Sequence, residues 1–224
     1  MTVAAVALMQ SITRFGYGGY AKIGLNYLLM DQEGKHQSLG RELSEDILVD
    51  LVSRSREGEV RAMEILYGHF KSSLISLAFR YTYNYAVAED LLQDIFVKVF
   101  THLHTLGDDK AFVRWLYRVA VNTCLSYLRT HKKLRQRTIS LDEVEGVVRD
   151  TSSMDAEREA NKPLEEAIHS LPAKLKSVFL LHDVQGFKHQ EIAQILGCST
   201  GTSKSQLFKA RMKIRKYLEE KQSL

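Results

Sequence analysis

The residues best suited to chemistry lie near the C-terminus, where polar and basic side chains follow a tight turn. Gly197 and the Ser-Thr pair at 199–200 separate a short helical pattern from a second one. The second helix is predicted to bury Leu207, Ala210 and Ile214 and to expose the polar residues between them. A capped polar helix that follows a glycine turn is typical of the helix-turn-helix, whose second helix enters the DNA major groove.

The side chains that this second helix would expose are hydroxyls, an amide and cations. Hydroxyl and amide groups can bond base edges, whereas lysine and arginine bind phosphates. The alternative is an ordinary amphipathic hairpin with a solvated basic face, but the capped polar helix after the turn favours DNA binding. The candidate residues are Thr202, Lys204, Ser205, Gln206, Lys209 and Arg211.

A second candidate nucleic-acid surface lies in the middle of the chain, on a predicted helix of about residues 109–131. It combines an aromatic ring, an amide and cations, which in single-stranded nucleic acid stack on bases, bond base edges and follow phosphates. The alternative is that Trp115 is a core aromatic and Asn122 a buried structural amide. The basic run that continues this helix favours nucleic acid. The residues of this face are Trp115, Arg118, Asn122, Arg129, Lys132 and Lys133.

An acidic edge precedes that helix, formed by Asp90, Gln93 and Asp94 at helical spacing. Paired acids can serve acid–base catalysis or metal binding, but no histidine or third carboxylate stands at ligand spacing here. A solvated acidic face is the alternative. The nearest resemblance to a metal site elsewhere is the pair 182–183 with His189, predicted at a helix end and the loop after it. We therefore expect no metal, no cofactor and no enzyme activity.

The composition supports a helical protein that acts inside the cell. Two prolines in 224 residues favour helices, because proline breaks them. Cys124 and Cys198 lie far apart, which excludes a thiolate metal site and a disulfide scaffold and suits the reducing cytoplasm. No apolar stretch reaches the roughly 18 residues of a membrane span, so we expect no membrane insertion. The net charge of +4 is mild, so any nucleic-acid site depends on where the cations cluster.

The elements that position these residues fall into two helical blocks, and the fold class is predicted to be all-α. Residues 44–137 form the first small domain, whose first helix begins after Ser44 and is broken by Gly58. Residues 138–162 are rich in acidic side chains and predict a flexible linker. Order restarts at Pro163, and residues 163–224 form the second domain. Residues 1–43 are predicted to be a leader. We expect this leader either to be disordered or to result from a start codon assigned too far upstream.

Three stretches together resemble the extracytoplasmic-function (ECF, group 4) sigma factors of bacterial RNA polymerase. They are residues 88–96 (AEDLLQDIF), residues 112–122 (FVRWLYRVAVN), and Leu171-Pro172 leading to residues 191–205. The resemblance covers about residues 44–218. It implies two domains, the region 2 bundle and the region 4 helix-turn-helix, joined by the acidic linker.

The resemblance also implies partners and roles. Asp90, Gln93, Asp94 and Phe96 would face the clamp helices of the polymerase β′ subunit, and the β flap would be a further contact. The face that contains Trp115 and Asn122, with the loop at 106–110 before it, would capture the −10 promoter element and promote melting. The resemblance adds Thr200 and Ser203 to the candidate −35 contacts. Ser203 stands at a position where many relatives carry valine. An anti-sigma factor is an expected partner, and no small-molecule substrate is.

Two other functions share part of this pattern. A stand-alone helix-turn-helix regulator would have the C-terminal motif, but it would not explain the Trp115–Asn122 face. A sigma-mimicking adaptor that only binds an anti-sigma factor should lack base-reading side chains, which are present here. The sequence therefore favours an alternative sigma factor that recognises −35 and −10 elements.

Overall fold

The computed structural model describes the backbone of residues 43–138 and 155–222, and the side chains of residues 43–131 and 162–221. All regular structure in these ranges is helical, with no strand, which confirms the all-α prediction. The predicted leader, apart from Leu43, and residues 139–154 of the predicted linker lie outside the described residues. No helix of the described part is long and apolar enough to cross a membrane.

The described residues form eight α-helices. In chain order they are α1 (Glu45–Arg56), α2 (Val60–Thr82), α3 (Tyr85–His102), α4 (Phe112–Thr138), α5 (Asp155–Ser170), α6 (Ala173–Phe179), α7 (His189–Leu196) and α8 (Thr200–Gln222). Two 3-10 turns, Leu103–Thr105 and Asp109–Ala111, lie between α3 and α4, and a π-helical turn, Leu180–Val184, follows α6.

The first helix begins and ends where the sequence predicts. The Ser44 hydroxyl accepts a hydrogen bond from the Ile47 amide at 3.4 Å, and Glu45 and Asp46 lie in the first turn. Carboxylates there are favourable because the free amides of a helix N-terminus carry partial positive charge. Gly58 follows the helix with φ of +92°, a left-handed conformation that glycine adopts without strain.

The chain packs into two compact units. Among the described residues, the first unit comprises 43–72 and 96–112, and the second comprises 73–95, 113–138 and 155–222. Within the first, the rings of Phe70 and Phe112 lie 5.8 Å apart. Its buried core includes Leu51, Val52, Leu66, Phe70, Leu103 and Phe112, and that of the second includes Leu74, Leu77, Tyr81, Leu116, Leu180, Leu181 and Ile192.

These units divide the chain differently from the predicted domains 44–137 and 163–224. The second unit contains parts of both predicted domains, which are linked by side-chain hydrogen bonds. The Tyr117 hydroxyl donates to Gln185 Oε1 at 2.7 Å, and the Tyr81 hydroxyl donates to Ser177 Oγ at 2.7 Å. Both tyrosine side chains are buried, so their hydroxyls need such partners. Parts of α2 and α4 therefore pack with α6 and with the residue that follows the π-helical turn.

The predicted restart of order at Pro163 is wrong, because α5 already begins at Asp155 and runs through the proline. A proline lacks one backbone donor and strains the preceding turn, but a helix can continue through it with a kink. Residues 155–162, assigned from their acidity to the flexible linker, are thus helical.

Candidate nucleic-acid interface

Helices α7 and α8 form the helix-turn-helix that the sequence predicts. Gly197 ends α7 in the left-handed conformation (φ 65°, ψ 41°), and the Ser199 hydroxyl accepts a hydrogen bond from the Thr202 amide at 3.0 Å. Ser199 therefore caps α8. Three side chains hold α8 in the core, and they are Leu207, Ala210 and Ile214, as predicted.

The outer face of α8, opposite that core, carries the −35 candidates Lys204, Ser205 and Lys209, all exposed. Thr200, Thr202 and Gln206 are half-buried at its sides. The hydroxyl of Thr202 is 2.8 Å from that of Ser199, and the Ser205 hydroxyl donates to the Thr202 carbonyl at 3.0 Å. These hydroxyls therefore help to order the first turns of the helix as well as facing outward.

Ser203 does not belong to this outer face. Its side chain is 0% exposed, and its Oγ lies 2.9 Å from Nδ1 of His189 on α7. It lies four residues before Leu207 and seven before Ala210, on the buried side of the helix. Ser203 can therefore not contact a base directly, and it leaves the set of −35 candidates.

Arg211 is exposed but already engaged. Its Nε and Nη2 donate to the Asp183 carboxylate at 2.9 and 2.6 Å, which raises the pKa of Arg211. Burial alone would raise the pKa of Asp183, but hydrogen bonds from Arg211 and His182 outweigh it and hold that pKa below its ordinary value. The predicted phosphate contact of Arg211 would have to compete with this ion pair.

The histidines near this ion pair do not form a metal site. The His182 ring bonds Asp183 through Nδ1 at 2.7 Å, and its centroid lies 4.6 Å from that of His189. No group of three or more His, Cys, Asp or Glu side chains that could hold a metal ion occurs in the described part of the chain. Burial, with His182 and other nearby cations as lesser causes, lowers the pKa of His189.

The candidate −10 face lies along α4. Arg118, Asn122 and Arg129 are exposed, and Trp115 is half-buried, so the four follow one accessible face, as their spacing predicts. The Arg129 Nε donates to the Leu125 carbonyl at 3.2 Å, which holds its guanidinium near the helix. The backbone of Lys132 and Lys133 continues α4, and their side chains lie outside the described ones.

The loop at 106–110 is held by a hydrogen bond within the loop and by contacts with Arg56. The Asp108 carboxylate accepts a hydrogen bond from the Lys110 amide at 3.0 Å, which starts the 3-10 turn before α4. Arg56 at the end of α1 donates to the Leu106 carbonyl at 3.2 Å and pairs with Asp109. The loop is therefore anchored at both its start and its turn.

The acidic edge on α3 presents Asp90, Gln93 and Asp94 as exposed side chains. Phe96 differs from the expectation, because it is only 2% exposed and its ring packs 4.6 Å from that of Tyr67. Phe96 is therefore a core residue, and it leaves the proposed contact surface.

Comparisons with known proteins decide what these helices belong to. Sigma-70 region 2 matches residues 66–134, and sigma-70 region 4 matches residues 162–214. The ECF RNA polymerase sigma-E factor of Escherichia coli K12 is 30% identical over 183 residues, covering 77% of this chain and 93% of the relative. The chain belongs to the ECF sigma factors of the sigma-70 family.

Other proteins similar to this ECF sigma factor are also sigma factors. The sigma-E factor of Haemophilus influenzae is 28% identical over 178 residues, covering 75% of this chain and 94% of the relative. Two solved structures share the fold. One is the sigma factor RpoE of Bartonella quintana with the anti-sigma factor NepR, which has 22% identity and a TM-score of 0.57 and covers 70% of this chain and 96% of that one. The other is CnrH with the cytosolic domain of CnrY, which has 20% identity and a TM-score of 0.59 and covers 77% of this chain and 97% of that one.

The candidate residues drawn from the sequence of this sigma factor omit two exposed apolar side chains of region 4. Phe208 is 67% exposed and lies four residues after Lys204 on the outer face of α8, with Met212 one turn further at 47%. The signal was present in the sequence, because Phe208 falls on the opposite side of the helix from Leu207 and Ala210. A single exposed apolar side chain is ordinary on a protein surface, but Phe208 and Met212 lie one turn apart on the same face.

Proposed function

We propose that this sigma factor binds core RNA polymerase, melts and captures the −10 element with region 2, and reads the −35 element with α8 of region 4. The observation that carries the proposal is the outer face of α8, where Lys204, Ser205 and Lys209 are exposed while the opposite side of the helix is buried. A recognition helix needs this arrangement, because the same helix must be fixed to its domain and accessible to the groove.

On the −35 side, the side chains divide by chemistry. Lys204 and Lys209 suit phosphates or guanine acceptors, and Ser205 and Gln206 can bond base edges. Phe208 adds an apolar group, which can contact the methyl group of thymine in the major groove. Thr200 and Thr202, at the start of the helix, suit the phosphate backbone near its N-terminus.

On the −10 side, the face of α4 suits a single strand. Trp115 offers a ring for stacking, Asn122 offers a donor and an acceptor for one extruded base, and Arg118 and Arg129 offer cations for the backbone. Lys132 and Lys133 would extend this electrostatic track. The anchored loop at 106–110 is a further candidate for contacting the captured strand.

The exposed edge of Asp90, Gln93 and Asp94 is the proposed contact with the β′ clamp helices, and region 4 the proposed contact with the β flap. Because carboxylates and an amide are exposed there, a basic or hydrogen-bonding partner surface fits. An anti-sigma factor is the proposed regulator. The protein would act in the cytoplasm, where polymerase and promoter DNA are found.

Run-off transcription tests the proposal directly. Purified core polymerase is incubated with and without the full chain on a fragment library of the source genome. We expect new discrete transcripts whose start sites share two spaced upstream elements. Duplex binding that does not depend on polymerase would instead indicate a stand-alone regulator, and no transcripts together with tight binding of an anti-sigma factor would indicate an adaptor.

A further inference from the structure

A partly buried hydrogen bond joins the two helices of the helix-turn-helix at their first turns. His189 is the first residue of α7, and Ser203 is the fourth residue of α8. Their Nδ1 and Oγ atoms are 2.9 Å apart, and the Ser203 side chain is fully buried. Ser203 stands between Thr202 and Lys204, two of the proposed −35 contacts, so any movement of Ser203 moves them as well.

The far end of the same helical segment is held by a second polar contact. Arg211 bonds Asp183 of the π-helical turn, eight residues after Ser203. Eight residues of α-helix span about 12 Å. The stretch of α8 that would lie in the major groove is therefore tied to its domain at both ends, which defines its tilt as well as its depth.

The Ser203 hydroxyl has another possible partner if its bond to His189 is lost. Loss of that bond should therefore affect the position of α8 more than the stability of the domain. A serine hydroxyl in a helix can also bond the carbonyl four residues earlier, which here belongs to Ser199. Loss of His189 would therefore not strand the hydroxyl, and the hydrophobic contacts of Leu207, Ala210 and Ile214 would still hold α8. What would be lost is the fixed distance between the first turns of α7 and α8.

We propose that His189 is a positioning residue, which fixes the first turn of the recognition helix through Ser203 and thereby sets base discrimination at the −35 element. This inference rests on the proposed reading of the −35 element by α8. Hydrogen bonds to base edges depend steeply on distance and angle. The long, flexible stems of Lys204 and Lys209 adapt to small helix shifts, so phosphate binding depends less on the position of the helix.

The test uses full-length protein with core polymerase on two promoters that differ by one base pair in the −35 element. His189→Phe keeps an aromatic ring but removes the ring nitrogens, and Ser203→Ala removes the hydroxyl. The double variant combines these two changes. In His189→Asn, the side-chain amide can occupy the place of Nδ1. Gln190→Ala, at the exposed next position of α7, is the matched control.

We expect His189→Phe and Ser203→Ala each to lower the transcription ratio between the two promoters about fivefold, the equivalent of one hydrogen bond. The double variant should be no worse than either single variant, and His189→Asn should restore much of the ratio. The salt dependence of binding to non-specific duplex should not change in any of them.

An unchanged promoter ratio in both single variants would overturn the positioning role. So would an equal loss of transcription on both promoters without a change in ratio, because that is the result of a merely destabilised domain. A wild-type protein that shows no preference between the two promoters, while still directing transcription, would overturn the proposed −35 reading itself.

Discussion

Arg211 on α8 and Asp183 in the π-helical turn form a two-bond ion pair, with Nε and Nη2 of the arginine 2.9 and 2.6 Å from the carboxylate oxygens. The aspartate is the more enclosed partner, with 20% of its side chain exposed against 56% for the arginine. A bidentate pair fixes orientation as well as distance. This arginine therefore contributes to the position of α8, whereas Lys204 and Lys209 are exposed on its outer face.

Asp183→Asn should lower the free energy of unfolding by about 1 kcal/mol at pH 7, the upper end for a partly exposed pair. The pKa of Asp183 is lowered in the folded protein, so its contribution is present above the ordinary aspartate pKa and is lost as pH falls through the folded value. Urea unfolding at pH 7 and pH 3 checks this. The difference between wild type and variant should be smaller at pH 3 than at pH 7.

Arg211→Met gives the control for this ion pair. In the double variant the effects should not add, because each single variant removes the same interaction. Additive losses would show that Asp183 and Arg211 stabilise the domain independently of each other.

The proposed polymerase contact predicts a loss of binding without a loss of fold. Gln93→Ala combined with Asp94→Ala should weaken core-polymerase binding at least tenfold, as expected when central interface contacts are removed. Both side chains are exposed, so the melting temperature should stay within about 2 °C, the range of neutral surface substitutions.

The control for the polymerase contact is Arg61→Ala, an exposed side chain on α2 that pairs with Glu64 on the same helix. Binding by gel filtration and by competition with another sigma factor measures the effect. Equal affinities for the double variant and for Arg61→Ala would remove the acidic edge from the interface.

The candidate −10 face predicts different effects of substitution at its amide and at its cations. Asn122→Ala should change which base of a single-stranded −10 oligonucleotide is preferred, since an amide reads base edges. Arg118→Ala should weaken all oligonucleotides about equally and should reduce the salt slope by about 0.7. Fluorescence anisotropy of the holoenzyme, at several salt concentrations, measures both. A uniform loss in Asn122→Ala would contradict base reading at this position.

The candidate −35 face on α8 predicts a similar contrast for duplex DNA, between a lysine and an amide. Lys204→Ala should weaken every duplex and reduce the salt slope by about 1, because a lysine–phosphate contact releases one counterion. Gln206→Ala should instead change the preferred −35 bases. Phe208→Ala should reduce the preference for thymine at one position, and Met212→Ala, one turn further along the same face, is its control. Equal loss on every promoter from Gln206→Ala would count against its base-reading role.

The helices and the helix-turn-helix could be predicted because their signals are local. Ser44, Gly58 and Gly197 mark helix ends, and apolar residues recur at helical spacing between them. The burial of Phe96 also follows from the periodicity, because Phe96 lies four residues after Leu92 and three before Val99 on the buried stripe of α3. The resemblance to sigma factors overrode that periodicity, and the periodicity was the better guide.

The tertiary partners of polar side chains could not be predicted in this way. The bond between His189 and Ser203 joins residues 14 apart, and that between Tyr117 and Gln185 joins residues 68 apart. Such pairs depend on how helices cross, which no local spacing determines. The helical start of α5 at Asp155 was missed because an acidic composition is compatible with both a linker and a solvated helix face.

A buried lysine in region 4 gives the last prediction. Lys176 on α6 is 4% exposed, and burial lowers the pKa of its ammonium group to about 8. The folded state therefore disfavours the charged form, at a cost of at most roughly 3 kcal/mol at pH 7, given 1.36 kcal/mol per pKa unit. As pH rises from about 8 towards the ordinary lysine value, the unfolded chain holds a proton that the folded protein has lost, so this cost falls and stability rises.

Lys176→Met should raise the free energy of unfolding at pH 7 by about 1–3 kcal/mol, because it keeps the apolar stem and removes the buried charge. The gain should shrink between pH 8 and pH 10, where wild-type Lys176 becomes neutral in the folded state. Lys174→Met, at an exposed position of the same helix, should show neither effect. Urea unfolding followed by circular dichroism at pH 7, 8, 9 and 10 measures the difference. A gain that does not depend on pH would mean that the methionine stabilises the domain by packing alone.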